Sequence, residues 1–272
     1  GERRRRMPVT LGYWDIRGLA APMRMICHYG GLEFDEKLYS LEEAKGGPSH
    51  WFKDNKPDLL KQNPCITLPY IKDGEKVITL SNAVYFYLGR KAGMTGNSDK
   101  EKEQVEAILF MSFDLRNAAV ALLYGPKDQY DAGAKTYLQP TTGGGKTAHT
   151  YLKLMNDCLK IYGTKYVGGD TLSIADCALF EMVEMHSAWA KAEGVDTYLD
   201  KPEFAELNKL VGTIKADPKL APYFASEAYT KLPFNNTNAH FFKNEKASAE
   251  SEEARAASVL CVAGTGSSQA GP

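Results

Sequence analysis

An α/β unit followed by an all-helical unit is the fold class that the sequence predicts. Up to about residue 80 the apolar pattern switches between the two-residue period of a strand and the 3.6-residue period of a helix. Beyond residue 100 only the helical period remains. An apolar content of 43% over 272 residues supplies a core for both units.

The elements follow in order. Val9 to Trp14 reads as a strand. Pro22 suits the first turn of a helix running to about Tyr29, and Gly30-Gly31 stops it. Phe34 to Tyr39 is a second strand, which requires a parallel crossover. Ser40 to Asn63, with Gly46, Gly47, Pro48 and Pro57, reads mostly as loop. Leu68 to Ile71, the turn Asp73-Gly74, and Val77 to Leu80 form a hairpin signal. Ser81 is placed to cap a helix ending near Arg90. The first unit is assigned to residues 7–88, with a linker at 89–97 and the helical unit at 98–230.

In the second unit, Ser98 and Glu101 make a capping box. It opens a long helix with Val105, Ile108, Leu109, Phe113, Leu115 and Leu122 as its apolar residues, ended by Gly125-Pro126. Helical patterns return at Leu152 to Ile161, Ile174 to Ala192 and Phe204 to Ile214, with Ser173 and Asp176 as a second helix start. The leader 1–6 and the Ala-, Ser-, Glu- and Gly-rich tail 243–272 are expected to be disordered.

Composition excludes several function classes. Lysine and arginine number 33 against 34 acidic residues, so no field of one sign exists to attract nucleic acid. No run approaches the length of a membrane span. Five cysteines without C-x-x-C spacing read as reduced thiols of a cytoplasmic protein. The five histidines have no metal-ligand spacing, and no metal is expected. Gly143 to Thr147 resembles the end of a phosphate-binding loop, but Pro140 stands where a glycine is needed and no strand precedes it. An interhelical loop is the better reading.

Three places invite chemistry. Tyr13 and Trp14 end the first strand, where an α/β unit opens its ligand crevice. A phenol there either fills the core or donates a hydrogen bond to an anion. Leu68-Pro69, between loop and strand, suits a cis peptide and leaves Leu68 extended, able to pair its backbone with a peptide-like ligand. Ser81-Asn82 opens a helix, whose N–H groups and positive end attract a carboxylate.

Together, Leu11-Gly12-Tyr13-Trp14-Asp15-Ile16-Arg17-Gly18, Thr67-Leu68-Pro69-Tyr70 and Thr79-Leu80-Ser81-Asn82-Ala83 closely resemble the mu-class glutathione transferases. Ser173 to Asp176 and Asp217 to Leu220 extend the resemblance, which spans about residues 8–242. It implies the cytosolic glutathione transferase architecture: a thioredoxin-like glutathione-binding domain and an all-α electrophile domain. It implies a detoxifying homodimer that joins the glutathione thiolate to hydrophobic electrophiles, with glutathione as co-substrate. Tyr13 matches the catalytic tyrosine, and Trp14 lies beside it. Leu68, with Pro69 at the cis position, matches the backbone partner of the cysteinyl part. Ser81 matches the holder of the γ-glutamyl carboxylate, and Asp114 a residue reaching the partner subunit's glutathione. Trp51 matches a contact to the glycyl carboxylate, with Lys53 and Lys56 the cations near the family's lysine position, here Asn55. Tyr124 matches a tyrosine of the electrophile pocket, and Leu19 and Trp14 are candidates to line it. The chain departs from the pattern at Pro48, Asn63, Thr67 and Leu80, where the family has arginine, an aromatic key, asparagine and glutamine. A hydrophobic-ligand carrier or an assembly protein that keeps only the fold are the alternatives, and neither needs a phenol at residue 13.

Overall fold

The computed structural model describes residues 8–40, 50–140, 145–196 and 201–242. Strand β1 (Val9–Trp14), helix α1 (Ala20–Gly30) and strand β2 (Phe34–Tyr39) form the expected crossover. Strands β3 (Tyr70–Asp73) and β4 (Lys76–Thr79) form the hairpin, its two-residue turn at Gly74-Glu75. The sheet order is β2-β1-β3-β4, with β1 parallel to β2 and antiparallel to β3. Central β1 buries Val9, Leu11 and Tyr13, while β2, at the edge, carries exposed Asp35, Glu36 and Lys37. Charge on an edge strand discourages pairing with another sheet.

Two expectations need correction here. Within the stretch expected to be loop, Trp51–Asn55 makes a wide helical turn that leads into α2 (Lys56–Leu60). Pro57 sits in the first turn of α2, where its missing N–H costs nothing, so it starts the helix rather than breaking it. Pro48, Gly46 and Gly47 lie outside the described residues. Ser81 is the first residue of α3 (Ser81–Ala92), not its cap. The cap position is Leu80, with φ 68° and no side-chain hydrogen bond to the helix.

The helical unit contains α4 (Asp99–Leu123), α5 (Lys127–Leu138), α6 (Ala148–Tyr162), α7 (Ile174–Ala192), α8 (Ala205–Lys215), α9 (Ala221–Ala225) and α10 (Glu227–Thr230). Both expected capping boxes form. Ser98 Oγ accepts from the Glu101 N–H at 3.2 Å and Glu101 Oε2 from the Ser98 N–H at 3.2 Å, with Ser173 and Asp176 doing the same for α7. Thr147 caps α6, and the element before the 141–144 segment is α5 rather than a strand. Residues 141–144, the leader and the tail lie outside the described residues. Helix α7 is buried along most of its length and packs on both α1 and α4, so it joins the two units. No helix among the described residues is long and apolar enough to cross a membrane.

Candidate functional site

Tyr13 stands at the carboxyl end of β1, with its side chain buried. The turn after β1 folds back so that the Leu19 N–H donates to the Tyr13 hydroxyl oxygen at 3.2 Å. That leaves the phenol's own proton available to a ligand. Burial raises the Tyr13 pKa above the ordinary phenol value, against the opposing pull of the Leu19 N–H and the Arg116 and Arg24 charges. The group therefore stays protonated at neutral pH and is a donor. Gly18 makes the approach possible: a Cβ there would lie 2.8 Å from the Tyr13 hydroxyl, and its φ is +37°.

A buried ion pair holds this turn. Arg17 Nε donates to Glu181 Oε1 at 3.1 Å and Arg17 Nη2 to Glu181 Oε2 at 2.5 Å, with both side chains sealed from solvent. The guanidinium lies between the rings of Tyr229 and Phe234, 4.5 and 4.3 Å from their centres. Burial works against its charge, and the Glu181 carboxylate outweighs burial, so Arg17 stays ionised. The Arg17 and Gly18 N–H groups donate to the carbonyls of Pro233 and Phe234. Sheet, helix α7 and the segment after α10 thus meet at one residue.

The Leu68–Pro69 bond is cis. Thr79 Oγ1 accepts from the Thr67 N–H at 3.1 Å and donates to the Thr67 carbonyl at 2.8 Å, which fixes the loop before Leu68. The backbone N–H and C=O of Leu68 bond to no described residue. At the start of α3, the Asn82 Oδ1 is buried without a hydrogen-bond partner.

A cavity of about 310 Å³ opens between the units. Tyr13, Trp14, Leu19, Leu68 and Tyr124, all expected site residues, share its wall. Tyr124 also anchors the far side, its hydroxyl accepting from the Asn236 N–H at 3.2 Å. Trp51, Lys53, Lys56, Pro69, Ser81 and Asp114 do not line it. Trp51 is buried, stacked on Tyr70 with ring centres 5.8 Å apart and tilted against Tyr39 at 5.2 Å. Lys53 is exposed, and Lys56 lies 5.7 Å over the Phe52 ring. Asp114 is exposed on α4 in the single chain and forms no ion pair with Arg116 among the described residues. Positions two apart on a helix do not face each other.

The sequence reading missed several wall residues: Arg116 and Val120 from α4, Met182 and Met185 from α7, and Phe234, Asn235 and Asn236 from the segment after α10. Arg116, Val120 and Tyr124 are spaced four apart, so the helical period already put the first two on the face of the third. No comparable local signal marks Phe234 to Asn236, which arrive through backbone hydrogen bonds to distant residues.

Comparison with known proteins follows this geometry. A family model described as the glutathione S-transferase N-terminal domain matches residues 9–90, and one described as the C-terminal domain matches residues 113–227. A class-mu 26 kDa glutathione S-transferase isozyme of Fasciola hepatica is 30% identical over 89% of this chain and 100% of its own. Glutathione S-transferase Mu 1 of Oryctolagus cuniculus is 28% identical over 84% of this chain and 95% of its own. The solved structure of the glutathione S-transferase Blo t 8 superposes with a TM-score of 0.67 at 23% identity, covering 86% of this chain and 100% of that one.

Proposed function

The chain belongs to the glutathione S-transferase family and conjugates glutathione to electrophiles, and we propose that Tyr13 is the group that activates the thiol. One observation carries the proposal: the Leu19 N–H donates to the Tyr13 oxygen on the cavity wall and leaves the phenol proton free for a ligand. A free thiol has a pKa of about 8.5 and is only about 3% thiolate at pH 7. Lowering that pKa by about 1.5 units takes about 2 kcal/mol, and a charge-assisted hydrogen bond supplies roughly 1.5–3 kcal/mol. The thiolate attacks the electrophile's carbon, its lone pair forming the S–C bond while the electrophile's displaced pair leaves with a leaving group or moves onto a neighbouring atom. A ligand carrier or an assembly protein has no use for a protonated phenol held this way.

Residues 7–88 serve as the glutathione-binding domain and residues 98–230 as the electrophile domain. Leu68, with Pro69 setting its geometry, pairs its free backbone groups with the cysteinyl part of glutathione. Ser81 and the start of α3 take the γ-glutamyl carboxylate, and the unpartnered Asn82 Oδ1 suits the neighbouring ammonium. Trp14, Trp51, Lys53 and Lys56 form the glycyl side of the glutathione site. Trp51 contributes through the buried stack that shapes that side. Leu19 and Tyr124 line the electrophile pocket. The working unit is a homodimer in the cytoplasm, where exposed Asp114 reaches the neighbouring subunit's glutathione, and the physiological role is detoxification. Incubation of the purified chain with glutathione and a panel of hydrophobic electrophiles tests the reading. Thioether products are expected, and their absence across the panel would refute it.

A further inference from the structure

Among the described residues, the cavity wall contains one cation whose role the thiol chemistry leaves open. Arg116 projects from α4 into the cavity, on the face shared by Val120 and Tyr124, and also lines a smaller adjoining pocket with Leu19, Tyr85 and Met182. Its side chain is partly buried and forms no ion pair or hydrogen bond among the described residues. Glu181, the one carboxylate among the described lining residues, is already held by Nε and Nη2 of the Arg17 guanidinium. Elsewhere in the cavity Arg116 meets apolar or neutral groups: Val120, Met182, Leu19 and the hydroxyls of Tyr13 and Tyr124. A guanidinium without a described counter-ion in a partly apolar wall is free to hydrogen-bond an anionic group that enters the cavity. The family's acidic ligand does not require it there, because its carboxylates are placed at α3 and at the Trp51 side. The Arg116 charge also acts on the hydroxyls of Tyr13, Tyr85 and Tyr124, so it lies within electrostatic reach of the reacting sulfur.

We infer that Arg116 sets the electrophile class of this site, favouring conjugated acceptors whose carbonyl or nitro oxygen takes up negative charge as the thiolate adds. The inference rests on the glutathione transferase reading. With an α,β-unsaturated ketone, the sulfur lone pair forms the S–C bond at the β-carbon. The C=C π pair moves between the α-carbon and the carbonyl carbon, and the C=O π pair moves onto oxygen. Arg116 donates N–H hydrogen bonds to that enolate oxygen while the charge is greatest. The α-carbon then takes a proton from water, replacing the one the thiol released on ionising, and the product is a neutral thioether ketone. A donor aimed at charge that develops only in the transition state raises turnover rather than ground-state affinity. An alkyl iodide puts its charge on a large, weakly hydrogen-bonded ion and gains far less.

The test measures kcat/KM of the full-length protein with 2-cyclohexen-1-one and with 1-iodohexane, for the parent and for Arg116→Met, Arg116→Gln and Arg116→Lys. The expected result is a fall of about tenfold in the enone-to-iodide ratio for Arg116→Met and Arg116→Gln, less than the roughly 10²–10³ lost with an enclosed oxyanion donor because Arg116 is only partly buried. Arg116→Lys should recover much of the ratio, since it keeps the charge. A thermal midpoint close to the parent's shows that each variant is folded. An unchanged ratio, or equal losses with both electrophiles, overturns the assignment. A parent that conjugates neither electrophile refutes the transferase reading itself, and the role of Arg116 with it.

Discussion

Replacing Tyr13 with Phe removes one O–H and leaves the buried ring in place. Two effects follow. The Leu19 N–H loses its acceptor at 3.2 Å, which costs about 1 kcal/mol of stability, an unpaired, partly buried donor being left behind. The thiol loses its donor. If the parent holds the thiol near a pKa of about 7 and the variant returns it to about 8.5, the thiolate fraction at pH 6.5 falls from about 24% to about 1%. The unassisted thiolate is more nucleophilic, by about fivefold for that gap. The net loss at pH 6.5 is therefore about 5- to 25-fold. At pH 9 both thiols are mostly ionised, so the loss disappears and the variant's more nucleophilic thiolate brings it level with the parent or up to about fourfold above it. The assay is kcat/KM for thioether formation from pH 6 to pH 9, at saturating glutathione. A loss of the same size at both ends of that range, or no loss at pH 6.5, would remove Tyr13 from thiol activation.

Gly18→Ala should lower conjugation at least as much as Tyr13→Phe. A Cβ 2.8 Å from the Tyr13 hydroxyl at φ +37° must displace the phenol, and steady-state turnover reads this directly. Glu181→Gln leaves Arg17 buried without its counter-charge and should cost about 3–5 kcal/mol in urea unfolding. His186 is buried, its Nδ1 2.7 Å from the Met182 carbonyl, and burial pushes its pKa down from 6.5 to about 4. Between those values the unfolded chain binds a proton that the folded chain refuses, so stability falls as pH falls through that window. Asp176, raised by burial to about 6, works in the opposite sense below that pH, so the parent alone does not isolate His186. The stability gap between parent and His186→Gln, from urea melts, should narrow by roughly 2–3 kcal/mol from pH 7.5 to pH 4.5. Asp114→Asn should raise KM for glutathione more than it lowers kcat, and sedimentation should show twice the chain mass.

Regular elements with local chemistry were legible in the chain. Ser98 with Glu101 and Ser173 with Asp176 announce their helices because a capping box is a contact across three residues. The crossover and hairpin follow from period and turn residues. Ser81 misled because serine is a good cap, whereas the backbone places Leu80 at the cap position with φ 68° and 55% exposure, a conformation that no propensity for leucine suggests. Tyr13 and Leu68 were legible from their places at a strand end and before a proline. The Arg17–Glu181 pair, separated by 164 residues, left no trace in either local pattern. Asp114 lies on the exposed side of α4 in the single chain, and no local pattern around it names what it would reach.

The tie between the turn after β1 and the segment after α10 bears on the order in which the chain assembles its site on the ribosome. The sheet and Tyr13 are complete once the first ninety or so residues have emerged, yet Arg17 finds Glu181 only after α7 is made. Its aromatic sandwich and the carbonyls that hold the Arg17 and Gly18 amides come later still, with Tyr229 and Pro233 to Phe234. A nascent chain short of those residues carries the phenol but not the brace that positions it. On the role proposed for Tyr13, thiol activation would therefore come late in synthesis.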